Sequence, residues 1–327
     1  MIIGGILKSI GSNARLGASE FLVAEADESD GSFLKMKPTI AIVTNIDREH
    51  LDHYDDLTEI QDTFVEFLSR LPFYGVAVVC LDDPNVRSIL PRVDRKVITY
   101  GLSSEADISA VDVSIHQFES SYTVSAFGEQ IGRITVALPG RHSVYNSLAA
   151  VAVAMELEIP FQTIARALKS FRGVDRRFQL RGRYNDALVV DDYGHHPTEI
   201  EAVLNGVREG FGSRTIAVFQ PHRFSRTQAL LEEFGGAFHL ADIVFVTDIY
   251  PAGEDPVPGI DGDLVQDALV RHGHPDVRFV KDPGAIVKQL QELLQPGDVM
   301  ITLGAGDVWK IGDSLAKSGK KQGRRKR

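Results

Sequence analysis

The sequence holds one cysteine, one tryptophan and four methionines in 327 residues. The single thiol, Cys80 in the apolar run 76–81, excludes an intramolecular disulfide framework and offers no cluster for a structural zinc. It reads as a small core residue in a strand. No stretch approaches the roughly 18 consecutive apolar residues that span a bilayer. The opening MIIGGILKSIGSNARLG has no basic region ahead of its apolar start and reads as the interior of a fold, not a secretion signal. The expected compartment is the cytoplasm. Cations are outnumbered, 35 Lys and Arg against 45 Asp and Glu for a net charge of −10, so the body is not a nucleic-acid binder on electrostatic grounds. The end of the chain departs from this. Lys320-Lys321-Gln322-Gly323-Arg324-Arg325-Lys326-Arg327 is basic throughout and reads as a solvated, unstructured tail, with contact to RNA or lipid as the alternative.

Two nucleotide motifs are also missing. No Gly-x-x-x-x-Gly-Lys-Ser/Thr occurs anywhere, and no Gly-x-Gly-x-x-Gly follows a strand, which counts against a dinucleotide oxidoreductase.

What is present is an alternation of β-rich apolar runs with amphipathic helical stretches, the pattern of α/β architecture with largely parallel sheets. Strands are expected at 21–26, 40–45 and 76–81, and a helix over 57–71 with Ile60, Phe64, Phe67 and Leu68 on one face. Between 107 and 138 the residues alternate, predicting a small antiparallel section, followed by helices near 142–157 and 160–170. A second, Rossmann-like unit carries strands at 187–191, 215–219, 243–247, 277–280 and 299–303, with the boundary near 173–182. Ligands of such sheets bind at the carboxyl ends of the strands.

Nearly every unusual polar cluster falls at such an end. Ala24-Glu25-Ala26-Asp27-Glu28-Ser29-Asp30 suits a hard cation such as Mg²⁺, or is an acidic solvated loop. Thr44-Asn45-Ile46-Asp47-Arg48-Glu49-His50-Leu51-Asp52-His53 crowds histidines and acids together, with His50 as a nitrogen ligand. In Gly140-Arg141-His142-Ser143-Val144-Tyr145-Asn146 the Asn146 amide suits a purine edge, and Ser143 is a candidate helix cap. Arg176 and Arg177 suit a phosphate or carboxylate, or surface ion pairs. Asp191-Asp192-Tyr193-Gly194-His195-His196 precedes a helix start at Pro197-Thr198-Glu199, and packing does not require its content. Gln220-Pro221-His222-Arg223-Phe224-Ser225-Arg226 places two arginines three apart, aimed at an anion near a helix's positive end. Gly304-Ala305-Gly306-Asp307 is a weak phosphate or turn signal.

Taken in order, EADESDGSF, TNIDREHLDHY, GRHSVYN, DDYGHHPTEI and FQPHRFSRT resemble the Mur ligase family over all but the basic tail. The resemblance implies an α/β chain: an incomplete P-loop-type central ATP-binding domain over 1–175, a Rossmann-like C-terminal ligase domain over 176–318, and an unstructured basic tail over 319–327. It implies ATP-dependent joining of L-alanine to the lactyl carboxylate of UDP-N-acetylmuramate through an acyl phosphate, in peptidoglycan precursor synthesis. Glu25 and His50 then match Mg²⁺-associated positions, and Asn146 a position near adenine, with Ser143 where the family has a preceding asparagine. Arg176 or Arg177 matches a phosphate contact and Asp192 a ribose contact. Tyr193, His195, Arg223 and Arg226 match the side that meets nascent product and incoming alanine. The family's P-loop, resembling Gly-Thr-His-Gly-Lys-Thr, and its UDP-binding domain belong ahead of the segment matched here. The expectation is a piece of such a ligase that does not turn over alone. A non-catalytic nucleotide- and amino-acid-binding module is the alternative.

Overall fold

The computed structural model describes residues 1–50 and 53–325, with side chains described through Gly319. Leu51, Asp52, Lys326 and Arg327 lie outside it. The chain divides into two compact units, Met1–Val174 and Asp175–Arg327.

Unit 1 opens with an antiparallel pair, β1 (Ile2–Leu7) and β2 (Ser12–Ala14). It continues with β3 (Ile40–Val43), α1 (Leu57–Ser69), β4 (Val76–Cys80), α2 (Pro84–Ile89) and β5 (Lys96–Gly101). Then come β6 (Ile108–His116), β7 (Glu119–Ala126), β8 (Glu129–Val136), α3 (Arg141–Glu156) and α4 (Phe161–Ser170). The main sheet runs β3-β4-β5-β6-β7-β8. It is parallel from β3 to β6 and antiparallel from there. The alternating pattern over 107–138 therefore became the expected antiparallel section. All five residues of β4 are buried, Cys80 among them, as a strand covered on both faces requires.

Two local expectations fail. Residues 21–26 form no strand: Ala24 makes an isolated bridge to Ile2, and Phe21, Leu22 and Val23 are exposed. An apolar run becomes a strand only where a neighbour completes its ladder. Nor does Ser143 cap α3. Gly140, at φ 91, precedes the helix, and Ser143 Oγ, already inside the first turn, donates to the Pro139 carbonyl at 2.9 Å.

Unit 2 carries β9 (Gln179–Tyr184), β10 (Ala187–Asp192), α5 (Pro197–Phe211), β11 (Thr215–Phe219), α6 (Phe224–Ala229) and α7 (Leu231–Ala237). It ends with β12 (Ile243–Val246), α8 (Gly262–Arg271), β13 (Val277–Phe279), α9 (Pro283–Leu293), β14 (Val299–Leu303) and α10 (Trp309–Arg325). The sheet order is β13-β12-β11-β14-β10-β9, parallel except for the β9–β10 pair. β14 thus lies between β10 and β11, so the loops after all three emerge side by side at one edge. The basic segment expected to be unstructured continues α10 as far as Arg325. Extending an existing helix through Lys, Gln and Arg costs far less than nucleating one.

Candidate active site

The two aspartates that end β10 point into the fold. Asp191 is fully buried; it accepts a hydrogen bond from the Thr302 hydroxyl at 2.7 Å and one from Arg176 Nε at 3.1 Å. The rest of the Arg176 guanidinium donates to the carbonyls of Gly304, Ala305 and Gly306 at 2.5, 3.2 and 3.0 Å. Its backbone, at φ 58, is pinned as well. Its N–H donates to Gln179 Oε1 at 3.0 Å and its carbonyl accepts from Tyr193 N at 2.6 Å. Arg176 therefore locks the loop after β14 to the end of β10. Of the two arginines expected at phosphate, the geometry removes this one.

Asp192 is similarly committed. Its two oxygens accept the backbone N–H groups of Phe178 and Gly194, each at 2.7 Å. Burial raises its carboxyl pKa against the pull of Arg177 and these two bonds. Each oxygen keeps a further lone pair beyond the amide it holds. Gly304–Asp307 is a turn closed by Gln220, whose Oε1 accepts from the N–H groups of Asp307 and Val308 at 2.9 and 3.1 Å. A Cβ at Gly306 would collide with that same oxygen.

The groups beyond this frame form the site. Tyr193 is 37% exposed, with the guanidinium carbons of Arg176 and Arg177 at 5.0 and 5.6 Å from its ring centroid. The His195 ring meets Tyr193 and His222 edge-on, both at 5.4 Å. His222 stacks on Tyr250 at 5.7 Å, and its Nδ1 accepts from Arg226 NH1 at 3.2 Å. Arg223 takes φ 68 immediately before α6, its N–H held by the Tyr250 carbonyl at 2.9 Å. Loops after β10, β11 and β12 thus converge on one aromatic, cationic surface. The anion expected at the start of α6 is supplied by the protein itself. Glu254 accepts from the N–H groups of Phe224 and Ser225 at 2.6 and 3.1 Å and from the Ser225 hydroxyl at 2.5 Å.

His222 gives this surface a pH dependence. Burial, then His195, Arg226 and Arg223, push its pKa down from 6.5 to about 4. As pH falls from 6.5 toward 4 the unfolded chain takes up a proton that the folded chain refuses, so stability present above pH 6.5 is lost across that window. Replacing His222 with Gln is expected to leave a smaller fall in melting temperature between pH 7 and pH 4.5 than the wild type shows. Equal falls would count against a buried neutral imidazole.

In unit 1, Glu25 is exposed and its Oε2 accepts the Gly4 N–H at 2.7 Å. His50, at φ 55, places Nε2 3.3 Å from Glu28 Oε1. The structure thus pairs His50 with Glu28. Asn146 is exposed on the first turns of α3, while its neighbour Tyr145 turns in to donate to Asp82 at 2.9 Å.

Comparison with known proteins gives these features a common frame. Residues 7–154 match the Mur ligase middle domain and residues 176–306 the Mur ligase glutamate ligase domain. The UDP-N-acetylmuramate–L-alanine ligase of Syntrophotalea carbinolica is 54% identical over 316 residues, covering 97% of this chain and 69% of that protein. The corresponding ligase of Geotalea uraniireducens is 53% identical, covering 96% and 69%. A crystal structure of UDP-N-acetylmuramate–alanine ligase from Thermotoga maritima superposes with a TM-score of 0.78 at 26% identity, covering 98% of this chain and 68% of that one. The chain belongs to the Mur ligase family.

For a Mur ligase the metal question is one of donor chemistry. Among the described residues no group of three or more His, Cys, Asp or Glu is arranged to hold a metal ion. Mg²⁺ asks less: it keeps several waters and is commonly held by one or two carboxylates together with substrate phosphates. Glu25 and Glu28 each offer a carboxylate of that kind, with His50 beside Glu28. Among the described residues no helix is long and apolar enough to cross a membrane.

Sequence reasoning passed over Glu254 and Tyr250 because neither belongs to a dense polar cluster. The signal that points to them is position: both follow β12, at the same carboxyl edge as the histidines.

Proposed function

We propose that this Mur ligase carries out ATP-dependent ligation of L-alanine to the lactyl carboxylate of UDP-N-acetylmuramate, with unit 2 supplying the amino-acid side. The observation that carries the reading is the convergence of Tyr193, His195, His222, Arg223 and Arg226 on one edge of the unit 2 sheet. Relatives more than half identical, named for this reaction, support it. A carboxylate and a triphosphate repel, so the reaction needs cations at both. Arg223 and Arg226 supply them for the amino-acid and product carboxylates. Half-exposed Arg177 takes the phosphate role in place of Arg176. Asn146 faces adenine. Mg²⁺, held through Glu25 and the Glu28–His50 pair, neutralises phosphate charge when bound. The neutral His222 keeps its Arg226 partner oriented without adding a competing cation.

The 327-residue polypeptide holds no Gly-x-x-x-x-Gly-Lys-Ser/Thr run. Phosphate positioning in this reading calls for backbone N–H groups and a lysine of the kind such a run supplies.

The test is imidazole NMR on the 327-residue chain. L-alanine is expected to move the His195 and His222 resonances, D-alanine to move them less, and Arg226→Ala to weaken the L-alanine effect about tenfold, the worth of one hydrogen bond to a charged group. Identical responses to both enantiomers, unaffected by Arg226→Ala, would rule out an alanine site here.

A further inference from the structure

Glu199 is the third residue of α5, where a carboxylate ordinarily completes the helix start. It does so here: Oε2 accepts the N–H groups of His195 and His196 at 3.0 and 3.3 Å. Helix capping leaves two further contacts unexplained. The same oxygen lies 3.4 Å from His195 Nδ1, and Oε1 accepts from Arg177 NH1 at 3.2 Å. One carboxylate therefore joins a residue of the alanine side to the arginine assigned to phosphate.

His195 Nδ1 has a second near neighbour, the Tyr193 carbonyl oxygen at 3.0 Å. Both neighbours are acceptors, so Nδ1 carries a hydrogen. In the neutral ring the lone pair is then on Nε2.

We infer that Glu199 is a positioning residue of the active site: it stabilises the protonated form of His195, whose Nδ1–H is held by the Tyr193 carbonyl, and ties that imidazole to Arg177. The inference deepens the proposed function and rests on it for the role of His195. In the neutral Nδ1–H ring it is Nε2 that accepts a hydrogen bond or a proton. A carboxylate beside Nδ1 also supports the imidazolium of hydrolytic triads; here the Tyr193 carbonyl takes the Nδ1 hydrogen bond and Glu199 supplies the charge. The charge state of Glu199 agrees with this. Burial opposes its ionisation, yet His195 and Arg177 outweigh burial and hold its carboxyl at about 2. Among the groups facing His195 are Glu199 on α5, Tyr193 on its own loop and His222 after β11. Arg226 stands behind His222, and Arg177 on the far side of Glu199.

The test separates charge from cap. Glu199→Gln keeps a side-chain oxygen for the two backbone N–H groups and loses the charge; Glu199→Ala loses both. Glu201→Gln, on the same helix, removes a charge without touching His195. Proton-detected NMR of the His195 imidazole in the 327-residue chain gives its titration midpoint and tautomer with no ligand present. An opposite charge at this distance moves a midpoint by about one pH unit or more. The expected result is a fall of about one unit in Glu199→Gln, with the Nδ1–H tautomer kept by the Tyr193 carbonyl, a fold retained, and no change in Glu201→Gln. A His195 midpoint in Glu199→Gln equal to wild type would overturn the inference and leave Glu199 as a cap. Because no alanine enters this measurement, its outcome is independent of whether the alanine site itself stands.

Discussion

Arg176→Ala is expected to destabilise unit 2 by about 3–5 kcal/mol, because it leaves the fully buried Asp191 carboxylate without its cation. The same change strips the hydrogen bonds from three successive carbonyls, Gly304 to Gly306. It also removes the clamp that joins the end of β10 to the loop after β14. The protein carries its own reporter, since Trp309 is the single tryptophan and lies on α10 of unit 2, with Arg181 at 5.5 Å over its ring. Its fluorescence in urea follows unit 2 alone. The expected fall in midpoint is about 2 M, taking about 2 kcal/mol per M for a unit of this size. Arg176→Lys restores charge without the planar fork and is expected to recover less than half of the loss. Arg177→Ala, on a partly exposed ion pair with Glu199, is expected to cost less than Arg176→Ala, by about 2 kcal/mol or more. Equal effects at 176 and 177 would contradict the division of roles between these neighbours.

The second large effect concerns turnover. As the 327-residue polypeptide, the chain is expected to release ADP at least about 10³-fold more slowly than a complete family member given ATP, UDP-N-acetylmuramate and L-alanine. Losing a single donor to developing charge costs about 10²–10³ in rate. A phosphate loop supplies several backbone N–H groups and a lysine at once. A coupled assay of ADP formation reads this directly, and turnover comparable to a complete ligase would refute it.

The contrast between residues 176 and 177 shows where the sequence stops being readable. In sequence the two arginines are equivalent. What separates them is Gly304, whose carbonyl lies 128 residues further on and decides which guanidinium is buried. The same limit applies to α6. The N–H groups at its start suggest an external anion, whereas Glu254, 30 residues from Phe224, already holds them and leaves the side chains of Arg223 and Arg226 to the site. β11 and β14, by contrast, were legible to the residue. A strand buried on both faces is a continuous apolar run with a polar or glycine stop at each end. The run at 21–23 has the same local character but only an isolated bridge beside it instead of a continuous ladder, and it stays exposed. Asp191 and Asp192 were conspicuous in sequence for the right reason, a polar cluster at a strand's end. Their burial made them part of the frame, while Tyr193 and His195 beside them face the site.

The most direct test of the account fuses this chain behind the phosphate-binding loop and UDP-binding domain of a complete family member. It then measures ATP-dependent incorporation of labelled L-alanine into UDP-N-acetylmuramate. The account predicts incorporation by the fusion, abolished by Arg226→Ala, and none by the 327-residue polypeptide. A folded fusion that binds ATP and UDP-N-acetylmuramate yet incorporates no L-alanine would contradict it.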